Sequence, residues 1–129
     1  MQRNELAPRI LLAVSAFVFA GGGILHAMAA PKSFSSIDAS NLAPFLANEL
    51  KMLWLADSTT LVVVALICGT LAFRPTAAAR SITMLVALVP GATAVLLYTF
   101  LGGFYAGHLL MVTSALVLIA ASLRRDRTT

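Results

Sequence analysis

Four apolar stretches constrain this chain more than any other feature of its sequence. They cover residues 10–30, 52–73, 81–101 and 103–123. A bilayer core about 30 Å thick needs roughly 20 apolar residues in an α-helix, so each stretch is long enough to cross a membrane. The 129 residues are 60% hydrophobic and 11% charged, whereas soluble domains carry about 25% charged residues. The sequence therefore predicts an all-α, antiparallel four-helix transmembrane bundle that forms one domain.

The distribution of charge predicts how the bundle is oriented. All seven arginines lie at one set of stretch ends, and both lysines lie at the other. Seven arginines with two acids (Glu5 and Asp126) give +5 on the arginine side, and two lysines with three acids give −1 on the other. The positive-inside rule then places both termini in the cytoplasm, in the cell (inner) membrane, with residues 31–51 as an outer loop. The basic residues form no continuous face, so nucleic acid is not an expected partner.

The N-terminal stretch has a second interpretation, as a secretory signal peptide. Arg3 and Arg9 precede the apolar run, and Ala27-Met28-Ala29 resembles a cleavage site. The run of about 20 residues is longer than the 7–15 apolar residues of a typical signal sequence. This length favours a first span that stays in the protein.

The predicted outer loop has two parts. Its serine-rich first part, around residues 33–41, is expected to be irregular. Helical periodicity begins at Leu42, and Pro44 suits the first turn of a helix. Either the second helix begins outside the membrane, before residue 52, or an interfacial helix precedes it.

Four polar side chains are expected at one depth near the outer ends of the spans. Asp57 and His108 each lie five residues inside their span, which is about 7.5 Å at 1.5 Å per residue. His26 and Tyr98 lie about 5–6 Å from the outer ends of theirs. Ionisable side chains in a membrane normally face the bundle interior and pair with one another. The sequence thus predicts a single cluster in which His26, His108 and Tyr98 all reach Asp57.

Such a cluster favours a pocket that binds a small lipophilic ligand or acts on it by acid–base chemistry. Asp57, His26 and His108 are the candidate catalytic residues, and Tyr98, Trp54 and Tyr105 are the candidate ligand-binding residues. Whether the protein is an enzyme is left open.

Two alternatives give the protein other roles. His26 and His108, with Asp57, could ligate a transition metal, and the two histidines could hold a b-type haem, as in a small redox subunit. Alternatively, the chain is a structural subunit of a homo-oligomer or larger membrane complex. Its docking face would then be a stripe of small residues on the first span, formed by Ala13, Ala16, Ala20, Gly23 and Ala27.

The layout of the chain resembles the small four-helix membrane proteins of the DoxX-like type. The resemblance covers the whole chain in span number, span length and the polar cluster near the outer side. It implies a multi-pass membrane protein, in some cases a small partner of a quinone-linked redox enzyme. No site residue is transferred from it, because no motif matches residue by residue.

Overall fold

All regular structure in the described part of the chain is α-helical. The computed structural model describes residues 6–74 and 79–124. The helices are α1 (Leu6–Met28), α2 (Ala30–Asp38), α3 (Pro44–Phe73), α4 (Ala79–Leu101) and α5 (Tyr105–Leu123). α1 and its continuation α2 form one candidate membrane span, and α3, α4 and α5 form one each. All four spans are long and apolar enough to cross a bilayer. This finding confirms the prediction of an all-α, multi-pass membrane protein with four spans.

Most of the predicted outer loop, residues 31–51, is helical. The expectation of irregular structure after Ser33 is wrong, because α2 occupies Ala30–Asp38 with Pro31 in its first turn. The serines there do not interrupt the helix, since the Ser36 hydroxyl donates to the carbonyl of Lys32 one turn earlier. The start of α3 at Pro44 confirms the predicted helix start.

One face of α2 is held against α3. Ala30 is buried and Phe34 and Ile37 are half-buried, and the spacing of these three residues places them on one side of the helix. An ion pair between Lys51 of α3 and Asp38 of α2 links the two helices further. The chain therefore returns from α1 to α3 through a packed helix.

The core consists of apolar and small side chains from the four long helices. α1 packs mainly on α3, and α4 packs mainly on α5. Contacts between α1 and α5 join the two pairs, whereas α3 and α4 touch only sparsely. The largest fully buried apolar side chains are Leu12, Phe19 and Val117. Cys68, a free cysteine, is fully buried as well, which is common for free cysteines.

The small-residue stripe of α1 is covered by α3. A Cβ on Gly23 would lie 2.9 Å from the backbone oxygen of Ser58, and a Cβ on Gly69 would lie 3.9 Å from the Cβ of Ala16. Ala13, Ala16 and Ala20 also pack against the core. These residues are occupied within the chain, so most of the stripe is not a surface on which another subunit could dock.

Candidate functional site

Three side chains of α3 and one of α1 form a compact group, termed here the His26 cluster: His26, Trp54, Asp57 and Ser58. Trp54, Asp57 and Ser58 are spaced three and four residues apart, so they share one face of α3. His26 is in the last turn of α1. Gly23, one turn earlier, lets the backbones approach closely enough for His26 to reach that face.

The imidazole of His26 has a contact at one ring face and at each of its two nitrogens. Its ring stacks on the indole of Trp54 with centroids 4.1 Å apart and an interplanar angle of 12°. Its Nδ1 lies 2.8 Å from Oγ of Ser58, and its Nε2 lies 3.8 Å from Oδ2 of Asp57. Trp54 also donates its indole N–H to the backbone oxygen of His26 over 2.9 Å. These contacts fix both the position of the ring and its rotation.

The hydroxyl of Ser58 can pair with either neutral tautomer of His26. It can donate to Nδ1, in which case Nε2 carries the hydrogen and points it towards Asp57. It can instead donate to the carbonyl of Trp54, 3.2 Å away, in which case Nδ1–H donates to Ser58. Neither tautomer requires the ring to move.

The side chains of His26 and Asp57 are partly exposed, whereas Ser58 is buried. The side chains of His26 and Asp57 are 29% and 39% exposed, and Ser58 is 5% exposed. A ligand can therefore reach Nε2 and Oδ2 but not the serine hydroxyl. Ser58 positions the imidazole and is not placed to attack a ligand.

Tyr98 and His108 form a second pair, between α4 and α5. The hydroxyl of Tyr98 lies 2.7 Å from Nδ1 of His108, and the two rings are tilted with centroids 5.3 Å apart. Gly107 leaves room for the phenol ring, because a Cβ there would lie 3.4 Å from Cε1 of Tyr98. Tyr98 is half-buried and His108 is exposed.

The predicted four-residue cluster thus appears as two pairs. Among the contacts of the described residues, Asp57 meets His26, while Tyr98 and His108 meet each other. The structure brings together two of the three suggested metal ligands, and residues 6–74 and 79–124 contain no group of three or more His, Cys, Asp or Glu side chains arranged to hold a metal ion. Tyr105 is exposed, and its ring contact is with Phe104.

Sequence reasoning missed the role of Ser58. Hydroxyl residues are common in membrane helices, and neighbouring Thr59 and Thr60 only bond the carbonyls one turn back in their own helix. The spacing of Ser58 from Trp54 was a usable signal, because it places the hydroxyl beside the indole. The contact of His26 with Trp54 and Ser58 follows only from the packing of α1 against α3.

Comparisons of this chain with protein-family models, with curated proteins and with solved structures find no match.

Proposed function

We propose that this membrane protein binds a small lipophilic molecule with a polar head at the His26 cluster and acts on it by acid–base chemistry. One observation carries the proposal. The imidazole of His26 is held by Trp54 and Ser58, while its Nε2 faces the carboxylate of Asp57 on the accessible side. Ionisable groups within a membrane span are expensive to keep there, and their presence favours a functional role.

The separation of these two ionisable groups suits a hydroxyl-bearing ligand. Nε2 and Oδ2 lie 3.8 Å apart, longer than a direct hydrogen bond of about 2.7–3.2 Å. A hydroxyl on the open side can lie about 2.8 Å from both atoms. Asp57 accepts a hydrogen bond from this hydroxyl and acts as the base that takes up its proton. His26 donates its Nε2–H to the ligand oxygen and stabilises the charge left there. The apolar remainder of the ligand lies among the exposed apolar side chains nearby.

The proposal includes an antiparallel bundle with both termini cytoplasmic. The order of contacts supports it: Gly23 and Ala16 of α1 approach Ser58 and Gly69 of α3 in reversed order. Tyr98 and Ala87 of α4 contact His108 and Ser114 of α5 in the same reversed way. The charge difference of +5 against −1 supports cytoplasmic termini. The His26 cluster would then face the outer leaflet of the cell membrane.

The haem and metal alternatives have less support from the geometry. Two histidines that share one metal or haem must face each other across it. The contacts of His26 are with Trp54, Asp57 and Ser58, and those of His108 are with Tyr98, so the two histidines belong to separate groups. The resemblance to DoxX-like proteins stays a prediction.

The decisive variant is Asp57→Asn, which keeps the shape of the side chain and its hydrogen bonding but removes the charge. The probe is a long-chain alkylphenol with a photoreactive diazirine, added to protein in mild detergent. Wild type should be labelled near His26, and Asp57→Asn should lose most of the labelling while its unfolding temperature stays close to wild type. A neutral amide can still bond His26 but cannot take up a proton.

Asp38→Asn is the matched control. Asp38 is also a carboxylate that pairs with a basic side chain, but it lies at the exposed end of α2 and its partner is Lys51 of α3. It should leave labelling unchanged. Equal labelling of wild type and Asp57→Asn would refute the charged site and leave Asp57 as a tether between helices.

A further inference from the structure

A second candidate site lies at the opposite end of α3 from the His26 cluster. A groove with a volume of about 430 Å³ opens between α3 and α4, where these two helices make few contacts. Ligand pockets commonly have volumes of roughly 300–1,000 Å³. The lining comprises Val63, Leu66, Ile67, Thr70, Arg74 and Ile82, together with Leu71.

We infer that this groove binds one acyl chain of an anionic phospholipid, with Arg74 holding the headgroup phosphate. The wall is apolar along its length. Its one hydroxyl, that of Thr70, donates to the carbonyl of Leu66 in its own helix, so it requires no partner in the groove. The side chains of Val63 and Leu66 are exposed on the surface of the protein, where they would contact a hydrocarbon chain.

The length of the groove matches one leaflet. Val63 and Arg74 are eleven residues apart on α3, which is about 16 Å at 1.5 Å per residue. The hydrocarbon core is about 30 Å thick, so the groove spans about half of it. A lipid whose phosphate lies at Arg74 would therefore extend its acyl chain along the groove to about the middle of the membrane.

Charge selects the headgroup. Arg74 lines the mouth of the groove, and Arg80 lies in the first turn of α4 at the same end. Arg124, which is buried, donates to the carbonyl of Leu71, itself part of the lining. The guanidinium of Arg74 can bind a phosphate with two parallel hydrogen bonds, and Arg80 and Arg124 add positive charge to the same end of the protein. This inference is independent of the His26 cluster. With both termini cytoplasmic, as proposed above, the bound lipid belongs to the inner leaflet, and only this assignment depends on the proposed orientation.

Native mass spectrometry of the full chain in detergent tests the inference. The probes are phosphatidylglycerol and phosphatidylcholine with identical palmitoyl and oleoyl chains. Arg74→Gln should weaken phosphatidylglycerol binding about fivefold, the effect of one cation near an anionic headgroup. It should weaken phosphatidylcholine binding less, because the choline offsets the charge of that lipid's phosphate. Arg74→Lys should retain most of the binding. Lys32→Gln, which removes an exposed cation from α2, is the control and should have no effect.

A second variant blocks the acyl chain. Leu66→Trp fills the groove and should reduce binding of both lipids, whereas Leu96→Trp, at an exposed leucine of α4 outside the groove, should not. Unchanged phosphatidylglycerol binding by Arg74→Gln, or unchanged lipid binding by Leu66→Trp, would overturn the inference.

Photo-crosslinking identifies the occupant of the groove directly. Its result does not depend on comparing the lipid binding of destabilised variants. A diazirine analogue of leucine at position 66 keeps the size of the native side chain and leaves the groove open. Irradiated in vesicles of the two lipids, it should give a covalent adduct with the mass of a phospholipid. An adduct between two copies of the chain would instead show that the groove is an interface between protomers, and the lipid site would be rejected.

Discussion

The indole of Trp54 stacks on the imidazole of His26 and donates its N–H to the backbone oxygen of the same residue. One side chain thus holds both the ring of His26 and the end of the helix that carries it. The carbonyl belongs to the last turn of α1, where carbonyl groups have no partner within the helix. The indole therefore stabilises the helix end and orients the candidate acid–base residue together.

Trp54→Phe should separate these two roles. It keeps an aromatic ring beside His26 but removes the donor, so the unfolding free energy should fall by about 1 kcal/mol. Trp54→Leu should cost more, because it also removes the stacked ring. Thermal unfolding monitored by circular dichroism in detergent measures both changes. If Trp54→Phe unfolds at the wild-type temperature, the hydrogen bond contributes no stability.

Two glycines of α1 provide a matched test of the contact between α1 and α3. A methyl group at Gly23 would lie 2.9 Å from the backbone oxygen of Ser58 and 3.0 Å from Val62. Since the backbone oxygen cannot rotate away, Gly23→Ala should force the helices apart, at a cost of about 1–3 kcal/mol. At Gly21 nothing lies within 4 Å of such a methyl group.

Gly21→Ala should accordingly be neutral or stabilising, because alanine favours the helix. The relevant measurement compares the two unfolding temperatures. The packing described for α1 and α3 would be refuted by equal effects of the two substitutions.

Ser114 links α5 to α4 beside a proline. Its hydroxyl donates to the carbonyl of Ala87 over 2.7 Å, in the turn that precedes Pro90. Gly91 leaves space for it, since a Cβ there would lie 3.0 Å from the serine oxygen. Ser114→Ala should destabilise the protein by about 1 kcal/mol, the usual scale for a hydrogen bond between membrane helices.

The control for Ser114→Ala is Thr113→Val. Thr113 is also buried on α5, but its hydroxyl bonds the carbonyl of Leu109 in its own helix. Valine preserves its shape, so the loss of stability should be smaller. Chemical unfolding of both variants in one detergent compares them, and a larger loss for Thr113→Val would contradict the assigned role of Ser114.

Labelling of introduced cysteines tests the orientation of the bundle. Ser35→Cys and Ser40→Cys, at exposed positions of the segment between α1 and α3, should react with a membrane-impermeant maleimide in intact cells. Thr76→Cys and Thr128→Cys, which lie outside the described residues, should react only after the membrane is opened. The positive-inside rule is the reason. Native Cys68 is fully buried and should stay unlabelled. Labelling of position 76 in intact cells would reverse the orientation.

The sequence by itself determined the helical class, the number of spans and the start of α3 at Pro44. Apolar stretches of that length leave few other folds, because backbone groups in lipid must be satisfied within the helix. The sequence also predicts that His26, Asp57, Tyr98 and His108 lie near one level of the membrane, because the rise per residue sets how deep each lies in its helix. This common depth stays a prediction.

Only the tertiary structure decided which of those residues meet, that Ser58 joins them, and that a groove opens beside Arg74. Depth does not reveal which helices are neighbours or how each is rotated. In a soluble protein the apolar face of a helix identifies its buried side. In a membrane protein lipid tails are as apolar as leucine, so apolar residues lie both in the core and on the surface, and the sequence pattern does not distinguish the two.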